Sequence, residues 1–172
     1  MKRINTPFQN TERGQSLMEL AVSLTILLML LTGAVETSLA LFQFVTLRDA
    51  AQEGALYGSI ALATADVNNN VGNAVQGIEW RTIKAADDVV DITPANINVY
   101  INKNTEDTEI FATDTTVAHY CEGSTGGLPN SITVTVTFAH PITLPFVAPM
   151  LGRDTINLTA SSTSTILQPS CP

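Results

Sequence analysis

Apolar and polar positions change their spacing several times along this chain. From residue 17 to residue 35 almost every position is apolar, and Glu19 is the only charged side chain. At about 1.5 Å of rise per helical residue this run measures about 28 Å, enough to cross a bilayer core of about 30 Å. Beyond Glu36 the period stays helical: Leu47, Ala50, Ala51, Gly54, Ala55, Gly58, Ala61 and Leu62 fall on one stripe, with Thr46, Asp49, Gln52 and Glu53 on the other side. The pattern predicts one helix from about Ser16 to Ala63, about 70 Å long, projecting well past a membrane. Its bulky residues Leu39, Leu41, Phe42, Phe44 and Val45 give way to small ones, which allow close backbone approach. Gly54 and Gly58 form a GxxxG spacing whose expected partner is either the chain's own distal domain or a neighbouring helix.

A second, shorter helix is expected behind Asp66 as its cap, with Val67, Val71, Ala74, Val75 and Ile78 on one face, although Gly72 and the run Asn68-Asn69-Asn70 weaken it. Residues 80–91 have no clear period. After Pro94 the spacing becomes two: Ile97, Val99 and Ile101 alternate with Asn98, Tyr100 and Asn102 as a half-buried strand. Residues 102–109 are polar and acidic and predict a hairpin loop, with a short strand at 109–112 and a glycine-rich loop at 119–130. Residues 131–138 alternate Ile132, Val134, Val136 and Phe138 with Ser and Thr, the clearest strand in the chain. Pro141, Pro145 and Pro149 punctuate an apolar connection to a last strand at 155–167, where Ile156, Leu158, Ala160, Ser162 and Ser164 are in phase. The predicted fold is α+β: a long amino-terminal transmembrane α-helix continuing into a small exported domain, whose antiparallel β-sheet packs on the helix's distal half and covers the stripe from residue 39 to residue 47. The expected divisions are a cytosolic leader at 1–14, the long helix at 15–63 with its span at 17–35, and the exported domain at 64–172.

Charge orients this arrangement. The chain carries a net charge of −8. The leader holds Lys2, Arg3 and Arg13 against Glu12, net +2, so the remainder carries −10. Positive charge stays on the cytosolic side, which puts the leader inside and the acidic bulk outside. An acidic exterior repels phosphates and excludes nucleic acid as a natural partner. Cys121 and Cys171 both fall in the exported part, where disulfides persist. Their pairing would close a loop of about 50 residues and contribute about 4 kcal/mol in the loop-entropy model; two free thiols are the alternative.

Little in the sequence points to catalysis. His119 and Cys121 lack further ligands at metal spacing, so no metal site is expected. Asn102, Asn104 and Glu106 alternate like the start of a calcium loop, yet the glycine and distal glutamate are missing. No nucleophile elbow or phosphate-binding glycine loop occurs, and Asn157-Leu158-Thr159 is an isolated glycosylation triplet. No cofactor, no small-molecule substrate and no enzymatic activity are expected.

Arg13-Gly14-Gln15-Ser16-Leu17-Met18-Glu19-Leu20 marks the step from polar leader to apolar run. With a basic leader before it, a small residue at the step and a glutamate five residues on, it resembles the processing site of type IV prepilins and pseudopilins. Together with Gly33-Ala34-Val35-Glu36 and Arg48-Asp49-Ala50-Ala51-Gln52-Glu53-Gly54-Ala55 it is similar to the TadE-like branch, pseudopilins of the Tad (tight adherence) pilus system; Leu20 stands where many relatives have Phe. The strand, apolar crossover and final strand also resemble that family's carboxy-terminal half. The resemblance implies cleavage between Gly14 and Gln15 by a prepilin peptidase, and a role in pilus assembly with other pilins and the assembly machinery as partners. Glu19 then either snorkels to the headgroups or pairs with the new amino terminus of a neighbouring subunit. Glu36 is either the outer-edge marker of the span or a buried polar contact between pilin helices. The rival readings are an uncleaved signal-anchored surface or adhesin protein, and a secreted binding protein or enzyme released after Ser38-Leu39-Ala40. Against a removed signal, the apolar run is longer than the usual signal core of about 7–15 residues.

Overall fold

The computed structural model describes residues 11–64, 71–103, 106–110, 131–144, 148–149 and 152–167. Its dominant element is α1, Thr11–Thr64, about 80 Å of continuous helix. The helix opens earlier than the apolar pattern predicts, so Gly14 and Gln15 already lie inside it. No proline interrupts it. Several of its hydroxyls bond back within the helix: Thr25 donates to the Ala21 carbonyl (2.8 Å), Thr32 to Leu28 (3.0 Å), Thr37 to Gly33 (2.9 Å) and Ser38 to Ala34 (2.8 Å). A hydroxyl bonded back in this way can sit in lipid without an unmet donor. Among the described residues this is the helix long and apolar enough to cross a membrane, and its large side chains from Leu17 to Val45 are exposed.

Burial begins abruptly at Leu47. From there Leu47, Ala50, Ala51, Gly54, Ala55, Gly58 and Leu62 are enclosed, the stripe predicted from spacing. The expected cover over residues 39–47 is partial: Leu47 is buried and Gln43 half-buried, whereas Leu39 remains 50% and Phe42 58% exposed. Helical phase explains the correction. Glu36, Gln43 and Leu47 recur at intervals of seven and four on the face toward the domain, whereas Leu39, Leu41, Phe42 and Val45 lie off that face.

The second helix, α2 (Val71–Ala86), runs on through Trp80 and Arg81, a stretch whose period the sequence left undecided. Asp66, its expected cap, lies outside the described residues. Its inner face is Ala74, Val75, Ile78, Thr82 and Ala86. After Val90 and Ile92, a 3-10 turn at Pro94–Asn96 leads into the sheet. There the Asn96 Oδ1 accepts from both the backbone N–H and the hydroxyl of Thr93 (2.9 Å each).

The sheet contains β1 (Ile97–Lys103), β2 (Glu106–Ile110), β3 (Ser131–Pro141) and β4 (Thr155–Thr165), in the order β2-β1-β3-β4 with every pair antiparallel. The predicted loop at 102–109 is therefore mostly strand: β1 continues to Lys103, which pairs with Glu106, and β2 ends at Ile110. The polar composition of this edge hairpin hid it, because an edge strand need bury little. The expected strand at 109–112 is thus displaced toward the amino terminus, and the glycine-rich segment at 119–130 lies outside the described residues. β3 and β4 pair from Ser131↔Thr165 to Pro141↔Thr155.

Both helices cover one face of the sheet. Ile97, Val99 and Ile101 of β1, Ile132, Val134 and Val136 of β3, and Ala160 of β4 form one buried core with the small residues of α1 and the inner face of α2. The opposite face carries hydroxyls, with Thr133 and Thr163 hydrogen-bonded across the strands at 2.7 Å. β3 runs antiparallel to α1 along its length. Ile132 lies against Gly58 and Val134 against Gly54, while His140 reaches Gln43 and Thr143 reaches Glu36. Twenty-two helical residues from Gly58 to Glu36 rise about 33 Å. Eleven extended residues from Ile132 to Thr143 cover about 36 Å, so the two descend together.

Candidate functional site

Gly14 and Gln15 are exposed in the first turns of α1. A Cβ placed on Gly14 would meet no atom within 4 Å. Glu19 follows about 7.5 Å further along the axis and is exposed among apolar neighbours. The structure therefore leaves Gly14, Gln15 and Glu19 open on one end of a bare apolar rod.

The other end of that rod is held by a polar cluster. Glu36 accepts the backbone N–H of Thr143 on Oε1 at 3.0 Å and the Thr143 hydroxyl on Oε2. His140 Nε2 stands 3.4 Å from Glu36 Oε1, and His140 Nδ1 lies 2.6 Å from Gln43 Oε1. The His140 side chain is 6% and that of Glu36 16% exposed. Both atoms facing the ring, as oriented, are acceptors. The buried Nε2 beside the carboxylate forms no hydrogen bond of its own. Charge of opposite sign across this contact would offset the cost of burying either group. Glu36 thus contacts the domain of its own chain, one residue beyond the apolar run.

Sequence reasoning missed His140, Thr143 and Gln43. The signal was present for His140: it shares the parity of Ile132, Val134, Val136 and Phe138 on β3, so it points inward toward α1. Gln43 lies seven residues after Glu36, two helical turns on, and faces the same way.

Gly54 and Gly58 sit deep in the domain interface. A Cβ on Gly54 would run into Thr82 Oγ1 and approach Val134 Cγ1 at 3.4 Å; one on Gly58 would strike Ile132 and come within 3.0 Å of Ile78. Of the two partners expected for this GxxxG spacing, the chain's own domain fills the space. Farther round, Gly77 of α2 lets the Tyr57 ring close in. Arg81 lies over Tyr57 (5.3 Å to the centroid) and Trp80 (5.7 Å) and pairs with Glu53 at 3.6 Å. Burial raises the Glu79 carboxyl above its ordinary pKa. Cys121 and Cys171 lie outside the described residues. No group of three or more His, Cys, Asp or Glu stands where it could hold a metal ion, among the described residues.

No curated protein and no solved structure matches the chain. A family model described as TadE-like protein matches residues 14–56, which run from the exposed glycine through the bare apolar helix to the small residues that seat the sheet. Over these residues α1 is similar to the TadE-like family.

Proposed function

We propose that this chain is a membrane-anchored pseudopilin or minor pilin of the TadE-like type that takes part in assembling a Tad-type pilus. The observation that carries this reading is the match over residues 14–56, coinciding with an exposed Gly14, a carboxylate five residues on and an exposed apolar helix. A prepilin peptidase cuts between Gly14 and Gln15, leaving residues 1–14 as a cytosolic leader. Residues 17–35 cross the cytoplasmic membrane, and the acidic domain lies outside. The work is contact rather than catalysis: α1 packs with other pilins and the sheet domain meets assembly partners. Complementation tests this. In source cells lacking the chain, the wild type should restore surface pili and Gly14→Arg should not; equal piliation without the chain contradicts the reading.

Within this mechanism Glu19 pairs with the amino terminus that cleavage creates on a neighbouring subunit. In low dielectric the pair neutralises two charges that would each be costly alone. Glu19→Ala should reduce assembly and extraction from the membrane; unchanged assembly removes the pairing. Cys121 and Cys171 form a disulfide in the oxidising space outside the membrane, and recovery of both as free thiols from unreduced exported protein would refute that bond.

A further inference from the structure

The connection between β3 and β4 is pinned at both ends next to the place where α1 leaves the apolar run. Thr143 is bonded to Glu36, Ile142 N–H donates to the Asp154 carbonyl at 2.8 Å, and Pro141 pairs with Thr155. Glu36 follows the last residue of the apolar run. Gln43, which His140 touches, lies about 10 Å higher on the helix axis. The headgroup layer on one side of a bilayer is about 5–7 Å deep. With residues 17–35 in the hydrocarbon, the end of β3 descends through that layer, and Thr143 sits at its floor.

The described residues of the connection placed there, Ile142, Thr143, Leu144, Ala148 and Pro149, are uncharged, with Glu36 on Thr143 and Asp154 beside Ile142. From Pro141 to Gly152 the sequence carries no charged side chain and is mainly Ile, Leu, Pro, Phe, Val, Ala and Met. Ile142, Leu144 and Ala148 are half-buried and Pro149 is exposed. Arg153, exposed, follows at the rim, where a guanidinium can meet lipid phosphate.

We propose that Ile142, Leu144, Ala148 and Pro149 form a second membrane contact, lying in the outer headgroup layer beside α1 and fixing how the domain is turned against the bilayer. The partner is the lipid surface, and the inference rests on the reading that residues 17–35 span it. Continuity carries the argument: the apolar surface of the connection begins where the apolar surface of the anchor ends, and the Glu36–Thr143 bonds hold the two at one height. Clamping the domain at Glu36 also turns that carboxylate away from lipid toward its own chain.

Quenching by brominated lipid tests the proposal. Trp80 is the chain's single tryptophan, so Trp80→Phe gives a dark background into which Leu144→Trp, Leu27→Trp or Thr165→Trp is introduced. Each full-length chain is reconstituted in vesicles of mixed zwitterionic and anionic phospholipid, brominated near the headgroup end of the acyl chains or near its tail. Tryptophan at 144 should be quenched several-fold more than at 165 by the shallow bromines, with little effect from the deep ones. If 27 is quenched by lipid and 144 is not, the second contact is wrong and the anchor stands. If 27 is not quenched either, both fail. If quenching at 144 disappears as the protein is diluted into more lipid, a second copy of the chain covers the connection and the proposal falls. Ile142→Trp repeats the measurement should Leu144→Trp not fold.

Discussion

Gly54→Ala is the most stringent test of how the sheet domain is seated on the helix. The added methyl would fall on Thr82 Oγ1 and within 3.5 Å of Thr82 Cβ and 3.4 Å of Val134 Cγ1. Thr82 is fully buried and its hydroxyl donates to the Ile78 carbonyl at 2.8 Å. To make room, Thr82 must turn away and leave that hydroxyl without a partner, costing about 1–3 kcal/mol, or α1 and α2 must part, an overpacking cost of about 1–3 kcal/mol. Alanine's better helix propensity returns about 1 kcal/mol. The net is a destabilisation of up to about 2 kcal/mol, measurable by urea unfolding of the detergent-solubilised chain followed through Trp80 fluorescence. Adding Thr82→Ala removes the clashing oxygen, so the double variant should lose less than the two singles together. Gly33→Ala, where the new methyl meets nothing within 4 Å, should leave domain unfolding unchanged. A Gly54→Ala chain more stable than the wild type by the full propensity gain of about 1 kcal/mol would refute the close packing of α1 on α2.

Two further outcomes follow from the same geometry. Glu36→Ala strips the acceptor from the Thr143 N–H and hydroxyl and removes the carboxylate beside His140, and should weaken the domain's hold on the helix by about 2 kcal/mol; in a cycle with His140→Ala the losses should be less than additive, and full additivity would mean that the two do not interact. Glu79 has a pKa raised by burial, so the folded state binds its proton more tightly than the unfolded chain does. Stability from this group therefore falls as pH rises from the ordinary carboxylate range through the raised folded value, and is level below that range. Glu79→Gln should flatten that part of a stability–pH profile, and an unchanged profile would show that the burial carries no such penalty.

How much of this was legible in the sequence depended on whether a residue's surroundings were set by its own element. The apolar length of residues 17–35 needs only lipid, and the stripe from Leu47 to Leu62 needs only a helical period; both are read without knowing what packs on them. β3 announces itself by strict alternation because one face is buried and the other solvated. The β1–β2 hairpin did not, since an edge pair rich in Asn, Asp and Glu satisfies its backbone without burying much. α2 was cut short because Trp80, Arg81 and Lys84 lie on its exposed side, and only its inner residues Ile78, Thr82 and Ala86 carry the period. The cluster of Glu36, Gln43, His140 and Thr143 joins residues about a hundred positions apart, and one-dimensional spacing has no access to such a contact. The bare residues Leu39, Leu41, Phe42 and Val45 show the same limit: their bulk invited a cover that their helical phase denies them.

The central claim is that a prepilin peptidase turns this chain into a membrane-held pilin subunit, and mass spectrometry of the membrane fraction from cells containing that enzyme tests it most directly. The account predicts a mature protein whose amino-terminal peptide begins at Gln15, with the full-length form accumulating when the peptidase is absent. A membrane form that still begins at Met1 beside the active enzyme, or a soluble form beginning near Leu41, would contradict it.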